Sequence, residues 1–478
     1  MKLLLKNIGV VKKAEINING LTVITGENNS GKTTIGRALY SVVAATKDLE
    51  ENNFFEKQRY AYRRVDDAMD VFEFYRFFEF PVKKGFTDKF SPEILEEMDD
   101  LQDIIAHINN IKEEVSKLTA EIFIENIMSS NMFPKNYEKR IQSSITRNIE
   151  TQKIKATEIL DSLLKVLSSD LSLKQYTNER IIQTLNKEFS GQIQPVKESK
   201  TQESKESKIE LSDAIRKYYE IDIVANSLKK DDCESFSLSA FTSSIFIDDV
   251  RVIDKSATET TWTPHRMRGG KNFYDSLHIK HHNEILYHML RDEGPGVYEE
   301  QVNKEKIKTI VKMIEDVSSS RIIYKGRDFI VEDTPLLARN MAMGSKMFAI
   351  ILSLLEKGYI DSGTLLILDE PESHLHPEWQ NKFAQIIIFL VKILNVRVVL
   401  TTHSPNFLLA LETFSLEFDL RDKCSFYQSV FLEDNYMVEF KDISKNLNDA
   451  YNQMAKPFLA LNIQRANIIA EMAGEQEK

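Results

Sequence analysis

A glycine-containing loop near the amino terminus has the residue types and the spacing that hold a phosphate group. Residues 26–34 read GENNSGKTT and match the pattern G-x-x-x-x-G-K-[ST], between an apolar strand-like run and a helical segment. Glycines allow successive backbone N–H groups to turn toward phosphate oxygens at the positive end of a helix dipole. The predicted nucleotide-binding residues of this loop are Gly26, Glu27, Asn28, Asn29, Ser30, Gly31, Lys32, Thr33 and Thr34.

Two side chains of the loop have distinct expected roles. Lys32 is expected to reach the β- and γ-phosphates of ATP, and the hydroxyl of Thr33 is expected to ligate Mg²⁺. The loop therefore predicts ATP and Mg²⁺ as cofactors. A chance match is the alternative, but the strand before the loop and the helix after it argue against chance.

A pair of carboxylates supplies the second chemical element. The stretch LLILDEPESHLHP, residues 365–377, is an apolar strand that ends in Asp369 and Glu370. A carboxylate at a strand end beside a phosphate loop can hold Mg²⁺, which is the role predicted for Asp369. Glu370 follows it and is predicted to polarise an attacking water as general base. The two motifs together predict ATP hydrolysis.

A histidine ends the next apolar run. The stretch TTHSP, residues 401–405, contains His403. A lone histidine is more often structural than catalytic, but a histidine at this strand end could contact the edge of the γ-phosphate. We therefore predict that His403 is catalytic together with Glu370.

The elements that must position these residues indicate an α/β fold interrupted by helices. The runs GLTVIT, TLLILD and VRVVLTTH have the continuous apolar pattern of buried parallel strands. Residues 91–118 begin with a serine cap and a proline in the first turn, and their apolar residues are spaced by threes and fours, as in a short coiled coil. These apolar residues are Ile94, Met98, Leu101, Ile105, Ile108, Ile111, Val115 and Leu118.

This pattern predicts a discontinuous head with an inserted helical domain. Residues 1–48 and 241–478 form the two parts of the head, and residues 49–240 form the insertion. Within the insertion we expect a helical aromatic core at VFEFYRFFEF, a disordered tip at about 196–208, where the sequence is nearly free of apolar residues, and further helix at IELSDAIRKYYEIDIV.

Composition narrows the class of protein. The chain has 478 residues, 42% hydrophobic and 28% charged, which is typical of a soluble protein of several domains. The sequence lacks an apolar run of the roughly 18 residues that a membrane helix needs, and Cys233 and Cys424 lie far apart, so we expect a reduced, cytoplasmic setting without a membrane partner.

The charge of the chain bears on whether nucleic acid is one of its partners. The net charge of −11 argues against bulk electrostatic binding to nucleic acid. The segment HRMRGGKNF, residues 265–273, is a local basic candidate, although a solvated loop is the preferred interpretation of such a short run. A nucleic-acid partner therefore stays open.

The phosphate loop, the acidic strand end and the histidine together resemble the ABC-type ATPase heads of the RecF, Rad50/SMC and OLD families. The resemblance covers roughly residues 1–48 and 320–410. It implies a P-loop NTPase head with the helical insertion between the phosphate loop, Walker A, and a signature segment. It also implies a head-to-head dimer or a higher homo-oligomer that closes over ATP.

The family's signature, L-S-x-G-[EQ], has its counterpart in NMAMGSKMFAIILSLLEKG, residues 340–358. The resemblance implies that Gly344 is the signature glycine and binds the γ-phosphate of the facing subunit. Ala342 stands where the family has serine, and Ser345 is the candidate substitute. For the family's Q-loop residue the candidates are Asp248 and Asp249.

Histidines elsewhere suggest metal sites only weakly. His374 and His376 occupy the family's D-loop, where structural or interface use is preferred over metal binding. The further cluster lacks a matching set of carboxylates and cysteines, so a metal site is disfavoured; it consists of His278, His281, His282 and His288.

The resemblance is closest in style to stand-alone anti-phage ATPases such as the Septu ATPase, which works with a separate HNH nuclease. About 75 residues follow His403, too few for a Toprim nuclease domain after the head, and no HNH pattern is visible. This implies an ATPase or sensor subunit that controls a separate nuclease of HNH or Toprim type. The alternatives are a RecF/SMC-like ATPase for DNA repair or maintenance, and a scaffold that assembles with ATP and barely turns it over.

Overall fold

The structure is a computed structural model that describes residues 1–47, 49–71, 92–117, 138–168, 173–195, 206–224, 226–228, 241–255, 280–292, 297–318, 321–334, 336–432 and 436–476. These residues form two compact units. The head unit takes residues 1–47 and the described residues from 177 onward. The helical unit takes the described residues between 49 and 176.

The described strands follow one another along the chain as β1 (Lys2–Ile8), β2 (Val11–Asn17), β3 (Leu21–Thr25), β4 (Ser207–Ser212), β5 (Lys217–Val224), β6 (Ser227–Leu228), β7 (Ser243–Ile247), β8 (Ile322–Lys325), β9 (Asp328–Val331), β10 (Thr364–Asp369), β11 (Arg397–Thr402), β12 (Cys424–Phe431) and β13 (Val438–Asp442). All but β8 and β9, which form a separate hairpin, belong to one sheet in the order β6-β5-β4-β1-β2-β13-β12-β3-β11-β10-β7.

The described helices are α1 (Lys32–Ala45), α2 (Leu49–Asp70), α3 (Leu101–Lys117), α4 (Glu138–Leu167), α5 (Leu173–Glu188), α6 (His282–Arg291), α7 (Val297–Glu315), α8 (Met343–Glu356), α9 (Pro377–Leu394), α10 (Pro405–Glu417) and α11 (Asn448–Gln476). No described helix is long and apolar enough to cross a lipid bilayer.

The parallel part of the sheet positions the predicted chemistry. Strands β12, β3, β11, β10 and β7 are neighbours in that order and pair in parallel, so their carboxyl ends meet at one edge. Every residue of β3 is buried, as are nearly all those of β10 and β11, because both faces of a parallel sheet are covered. The predicted α/β class is confirmed.

Alternate residues of these strands fill two hydrophobic cores. On β10, Leu366 and Leu368 pack on one face, and Leu365 and Ile367 pack on the other. The first face is covered by α7 to α10, whose buried aromatic residues include Phe348, Phe383 and Phe407. The second face is covered by α1, through residues that include Ile35 and Leu39. The sheet is therefore held from both sides.

The stretch IELSDAIRKYYEIDIV, predicted to be helical, is instead β4, a tight turn and β5. The strand β4 pairs with β1, which places this segment in the sheet of the head unit. Its apolar residues are buried at every second position, the period of a strand. The side chain of Asp213 accepts hydrogen bonds from the backbone N–H groups of Ile215 and Arg216, a turn that separates the two strands.

The predicted insertion boundaries change accordingly. The helical unit ends near residue 176, not 240, and Ser207 and Lys208 of the predicted tip begin β4. The rest of that tip, residues 196–205, lies outside the described residues, as do 72–80 of the aromatic stretch and the whole basic segment 265–273. Near the carboxyl terminus β12 and β13 form an antiparallel pair, and the helix α11 follows them.

The helical unit has the predicted apolar seam at Ile108, Ile111 and Val115, but Ile104 takes the place of the predicted Ile105. Residues Pro92–Glu97 form a 3₁₀ helix, and α3 starts only at Leu101. The buried residues of α3 are Ile104, Ile108, Ile111 and Val115, while the predicted Ile105 is only partly buried. They pack with α2 and α4 in a core that includes Val65, Leu160 and Leu163. The predicted Leu118 lies outside the described residues.

We expect Ile108→Ala to destabilise the helical unit, because it removes methylene and methyl groups from a fully buried position and leaves a cavity. The free energy of unfolding should fall by about 2–5 kcal/mol, measured by urea denaturation. The matched control is Ile154→Ala on α4, whose side chain is 60% exposed. An equal loss for both variants would contradict the observed packing.

Candidate functional site

The phosphate loop joins β3 to α1 and is packed tightly against β12. A Cβ atom at Gly26 would lie 1.7 Å from Ser429 Oγ, so only glycine fits at this position. Ser429 Oγ donates to Ser30 Oγ at 2.6 Å, and Ser30 Oγ donates to the carbonyl oxygen of Glu27 at 2.6 Å. Gly31 has a φ of +74° immediately before α1 begins. The loop shape is thus set by its own sequence and by β12.

The predicted loop residues differ in exposure. Glu27, Asn28 and Asn29 are exposed, Thr33 and Thr34 are half-buried, and Ser30 is buried. Glu27 Oε1 accepts a hydrogen bond of 2.9 Å from Gln453 Nε2 on α11, a residue that sequence reasoning missed. The phosphate loop therefore contacts the first turns of the terminal helix.

Lys32 is the buried cation of the loop. Its Nζ donates to the carbonyl oxygens of Gly26 at 3.1 Å and Glu27 at 2.8 Å. The same Nζ lies 3.4 Å from Glu370 Oε1, at the acidic end of β10. The ammonium group therefore lies between the loop and Glu370, where the predicted phosphate would bind.

Asp369 joins three segments at the carboxyl edge of the sheet. Its Oδ2 accepts a hydrogen bond of 2.6 Å from Thr33 Oγ1, and its Oδ1 accepts one of 2.5 Å from Thr401 Oγ1. Thr401 is its register partner on β11. Burial raises the pKa of Asp369, and the hydrogen bonds from the two threonines oppose that effect. The hydroxyl of Thr33 and the carboxylate of Asp369 are hard oxygen donors, which fit Mg²⁺.

Glu370 and His403 lie together at the mouth of this site. His403 Nδ1 lies 3.3 Å from Glu370 Oε2, and both side chains are partly exposed. Glu370 has a φ of +48°, a conformation that costs a non-glycine residue energy. Its backbone N–H donates to Thr401 Oγ1 at 2.9 Å, which holds that conformation. The predicted base and the predicted histidine are therefore adjacent and reachable by water.

Glu372 is a second residue that sequence reasoning missed. It is buried, and its Oε1 accepts hydrogen bonds from Thr402 Oγ1 at 2.5 Å and from the backbone N–H of His403 at 3.3 Å. Burial raises the pKa of Glu372. Glu372 thus ties the segment after β10 to the segment that contains His403. The sequence signal for Glu372 is a third acidic residue in the run DEPE, residues 369–372. Such an acidic run is equally typical of a solvated turn.

The signature candidates lie at the start of α8. Gly344 is buried, and a Cβ atom there would lie 2.9 Å from the carbonyl oxygen of His374. Ala342 is the residue before the helix and provides no side-chain cap. Gly344 lines a cleft of about 540 Å³ together with Asp369 and Glu370 of the same chain. Ser345, half-buried, is the next residue of the helix.

Both Q-loop candidates line the cleft that contains Asp369 and Glu370. Asp248 directly follows β7, the neighbour of β10. Asp249 in addition caps the 3₁₀ helix Val250–Asp254 by accepting a hydrogen bond from the backbone N–H of Arg251. Either position could affect a bound nucleotide.

The histidines that the sequence offers as metal ligands have different roles in the structure. His376 caps α9 by accepting from the backbone N–H of Glu378, a structural role, and His374 lines the cleft. Within the described residues one group has the spacing of metal ligands, namely Glu188, His281 and His282. The expectation that this histidine cluster lacks a carboxylate is therefore wrong, because Glu188 comes from a distant part of the chain. His278 lies outside the described residues.

The fold and the site define a P-loop ATPase head. Residues 1–408 match the profile of AAA_15, an AAA ATPase domain, and the chain belongs to this family. The predicted ATPase head is thereby confirmed. A curated relative is the retron Vc95 probable ATPase of Vibrio cholerae serotype O1 biovar El Tor, 25% identical over 129 residues, which is 25% of each protein.

Solved structures of SMC heads are also similar to this chain. The SMC head bound to the C-winged helix domain of ScpA has a TM-score of 0.40 and 10% identity, over 92% of this chain and 96% of that one. The SMC head domain from Thermotoga maritima has a TM-score of 0.33 and 9% identity, over 92% and 97%. The Smc head with a coiled coil and joint from Pyrococcus yayanosii has a TM-score of 0.33 and 9% identity, over 95% and 99%.

We expect Lys32→Ala to lose ATP binding, because it removes the buried ammonium that faces the phosphate position. Isothermal titration calorimetry with ATP should show no measurable heat of binding. The control is Lys13→Ala, whose side chain is half exposed on β2. Unchanged ATP affinity in the Lys32 variant would show that this loop does not bind the phosphates.

Proposed function

We propose that the chain binds ATP with Mg²⁺ through the phosphate loop and hydrolyses the γ-phosphate. The observation that carries this proposal is the convergence of three separate strand ends: Lys32 and His403 each lie at ion-pair distance from Glu370, and Thr33, next to Lys32, donates a hydrogen bond to Asp369, next to Glu370. Their types are those that phosphoryl transfer to water needs: a cation, a metal-binding carboxylate and a base.

The binding step uses groups that are already in place. The backbone N–H groups of residues 26–34 and the ammonium of Lys32 would bind the phosphate oxygens. Thr33 and Asp369 would hold Mg²⁺, which neutralises phosphate charge when it is bound. Thr401 holds the carboxylate of Asp369 in orientation through its 2.5 Å hydrogen bond.

The chemical step is assigned to Glu370, with His403 beside it. Glu370 would accept a proton from water as the water oxygen bonds to the γ-phosphorus and the bond from that phosphorus to the oxygen of the leaving ADP breaks. The partial exposure of Glu370 gives water access. His403 would contact the edge of the γ-phosphate. Glu372 keeps His403 in place through the backbone N–H of that histidine. The strained φ of Glu370 is consistent with a side chain held for function.

We further propose that two heads close over ATP, with the Gly344 segment of one head meeting the nucleotide of the other. The position of Gly344 and Ser345 at the amino end of α8 supports this, because backbone N–H groups there can bind a phosphate. A dimer of two heads is the smallest assembly in which this contact can form. A higher homo-oligomer can contain the same contact.

The cellular role we propose is an ATPase subunit of an anti-phage defence system that controls a separate nuclease of HNH or Toprim type. The partial similarity to the retron Vc95 probable ATPase supports a defence role. We also propose a cytoplasmic setting, in keeping with the cysteine usage. The neighbouring open reading frame tests the role: an HNH or Toprim gene supports defence, while replication or repair genes would favour the DNA-maintenance alternative.

We expect Glu370→Gln to bind ATP and to lose hydrolysis by about 10²–10⁴-fold, because the amide keeps the shape but cannot accept the proton. Light scattering with ATP and Mg²⁺ should show accumulation of the closed assembly. The control is Glu378→Gln, an exposed residue in the first turn of α9. Turnover at the wild-type rate in the Glu370 variant would refute the catalytic assignment.

We expect Gly344→Asp to bind ATP as a single head yet fail to assemble, because a negative charge would meet the facing γ-phosphate. Since the added Cβ would also approach the carbonyl oxygen of His374, Ser345→Asp is the matched variant, which adds the same charge without that clash. Light scattering should show loss of ATP-dependent assembly in both variants. If both assemble like wild type, the cross-subunit role of this segment is wrong.

A further inference from the structure

A buried histidine bridges two carboxylates behind the nucleotide cleft. His282, the first residue of α6, has its Nδ1 2.5 Å from Glu188 Oε2 and its Nε2 2.9 Å from Asp248 Oδ1. The second contact is an ion pair and not a well-aligned hydrogen bond. With a carboxylate at each ring nitrogen, the imidazole is most stable with both nitrogens protonated.

The pKa directions agree with this geometry. Burial lowers the pKa of His282, but the nearby carboxylates of Asp248 and Glu188 outweigh burial, and the net shift is upward. Burial raises the pKa of Asp248, but His282 and Asn283 outweigh it, and the net shift is downward. Both shifts favour the form in which a protonated His282 lies beside an ionised Asp248.

The histidine ring has little freedom to move. Its centroid lies 4.3 Å from the ring centroid of Phe246 on β7, and Tyr40 of α1 meets it edge-on at 5.8 Å. The backbone N–H of His282 donates to the other oxygen of Glu188 at 2.9 Å. Glu188 itself is buried at the end of α5. The imidazolium is thus a rigid, buried support.

Asp248 connects this support to the cleft. Its Oδ1 also accepts a hydrogen bond of 3.0 Å from Asn283 Nδ2, so that one oxygen is held from behind by α6. The residue lines the cleft with Asp369 and Glu370, and its negative charge contributes to the raised pKa of Asp369. Carboxylates that share a cleft repel one another unless a cation lies between or behind them.

A resident metal ion at Glu188, His281 and His282 explains these contacts less well. His281 Nδ1 accepts from the backbone N–H of Asn283 as a helix cap, and its Nε2 lies 3.6 Å from Glu188 Oε2. His282 already has a carboxylate at each ring nitrogen. A metal would have to displace the proton that these two carboxylates stabilise.

We propose that His282 is a positioning residue that holds the carboxylate of Asp248 in the nucleotide cleft beside Asp369, and thereby strengthens the binding of the divalent cation that accompanies ATP. This inference rests on the proposed ATP-binding function. Asp248 provides hard oxygen atoms and negative charge toward the cation or its water ligands, as outer residues of metal sites do.

The test is a double-mutant cycle of His282→Gln and Asp248→Asn, with ATP affinity measured by calorimetry in Mg²⁺ and in EDTA. We expect each single variant to lower the Mg²⁺-dependent gain in ATP affinity by about tenfold. Affinity in EDTA should stay unchanged. The Mg²⁺-dependent gain in ATP affinity should be no smaller in the double variant than in the more affected single variant, because both changes remove the same contact between His282 and Asp248. His288→Gln, the same change on α6 at a residue outside the cleft lining, should match wild type.

Two results would overturn the inference. One is an Asp248→Asn variant that keeps the full Mg²⁺-dependent gain in ATP affinity. This result decides the question even if the buried His282→Gln variant fails to fold. The other is losses that multiply in the double variant, which would mean that the two residues act independently. Thermal denaturation without nucleotide reports folding of each variant separately. If wild type binds no ATP, the proposed function fails, whereas wild-type binding with unaffected variants refutes only the role of His282.

Discussion

A carboxylate that is partly withdrawn from water needs hydrogen-bond partners, and the partners of Asp369 hold the site together. Thr33 belongs to the phosphate loop and helix α1, Asp369 ends β10, and Thr401 belongs to β11. The parallel register of β10 and β11 places Asp369 opposite Thr401, so the sheet itself supplies one of the partners. Loss of either threonine would leave a partly buried acceptor without its donor, which is costly. These two hydrogen bonds therefore stabilise the fold and set the distance between the phosphate loop and the acidic strand end.

The charges of the cleft are balanced by cations from several elements. Asp248, Asp369 and Glu370 are carboxylates that line one cleft. Lys32 lies close to Glu370 from the phosphate loop, and His282 lies close to Asp248 from α6. Each cation is more buried than the carboxylate it faces, so the anions rather than the cations are presented to the cleft. A ligand that combines phosphate and a divalent cation matches this arrangement, because each part meets groups of opposite charge.

Positioning residues outnumber reacting ones in this site. Glu372 holds the segment of His403, Ser429 packs against the phosphate loop, and Gln453 contacts Glu27 from the terminal helix. These residues come from β12, α11 and the turn after β10, far apart along the chain. Their shared effect is to fix backbone segments rather than to touch substrate. Such contacts would keep the site within the narrow tolerance that the proposed phosphoryl transfer requires.

The sequence alone determined the loop, the acidic strand end, His403 and their order, because each rests on a local pattern of a few neighbouring residues beside a buried strand. Local pattern failed at 209–224, where alternate apolar residues were taken for helix, since short strands and helices share composition and only pairing with β1 separates them. Tertiary structure alone decided the roles of Glu188, Asp248, His282 and Glu372. Their partners lie up to 94 residues away, and no local spacing encodes a contact that only the strand order of the sheet creates.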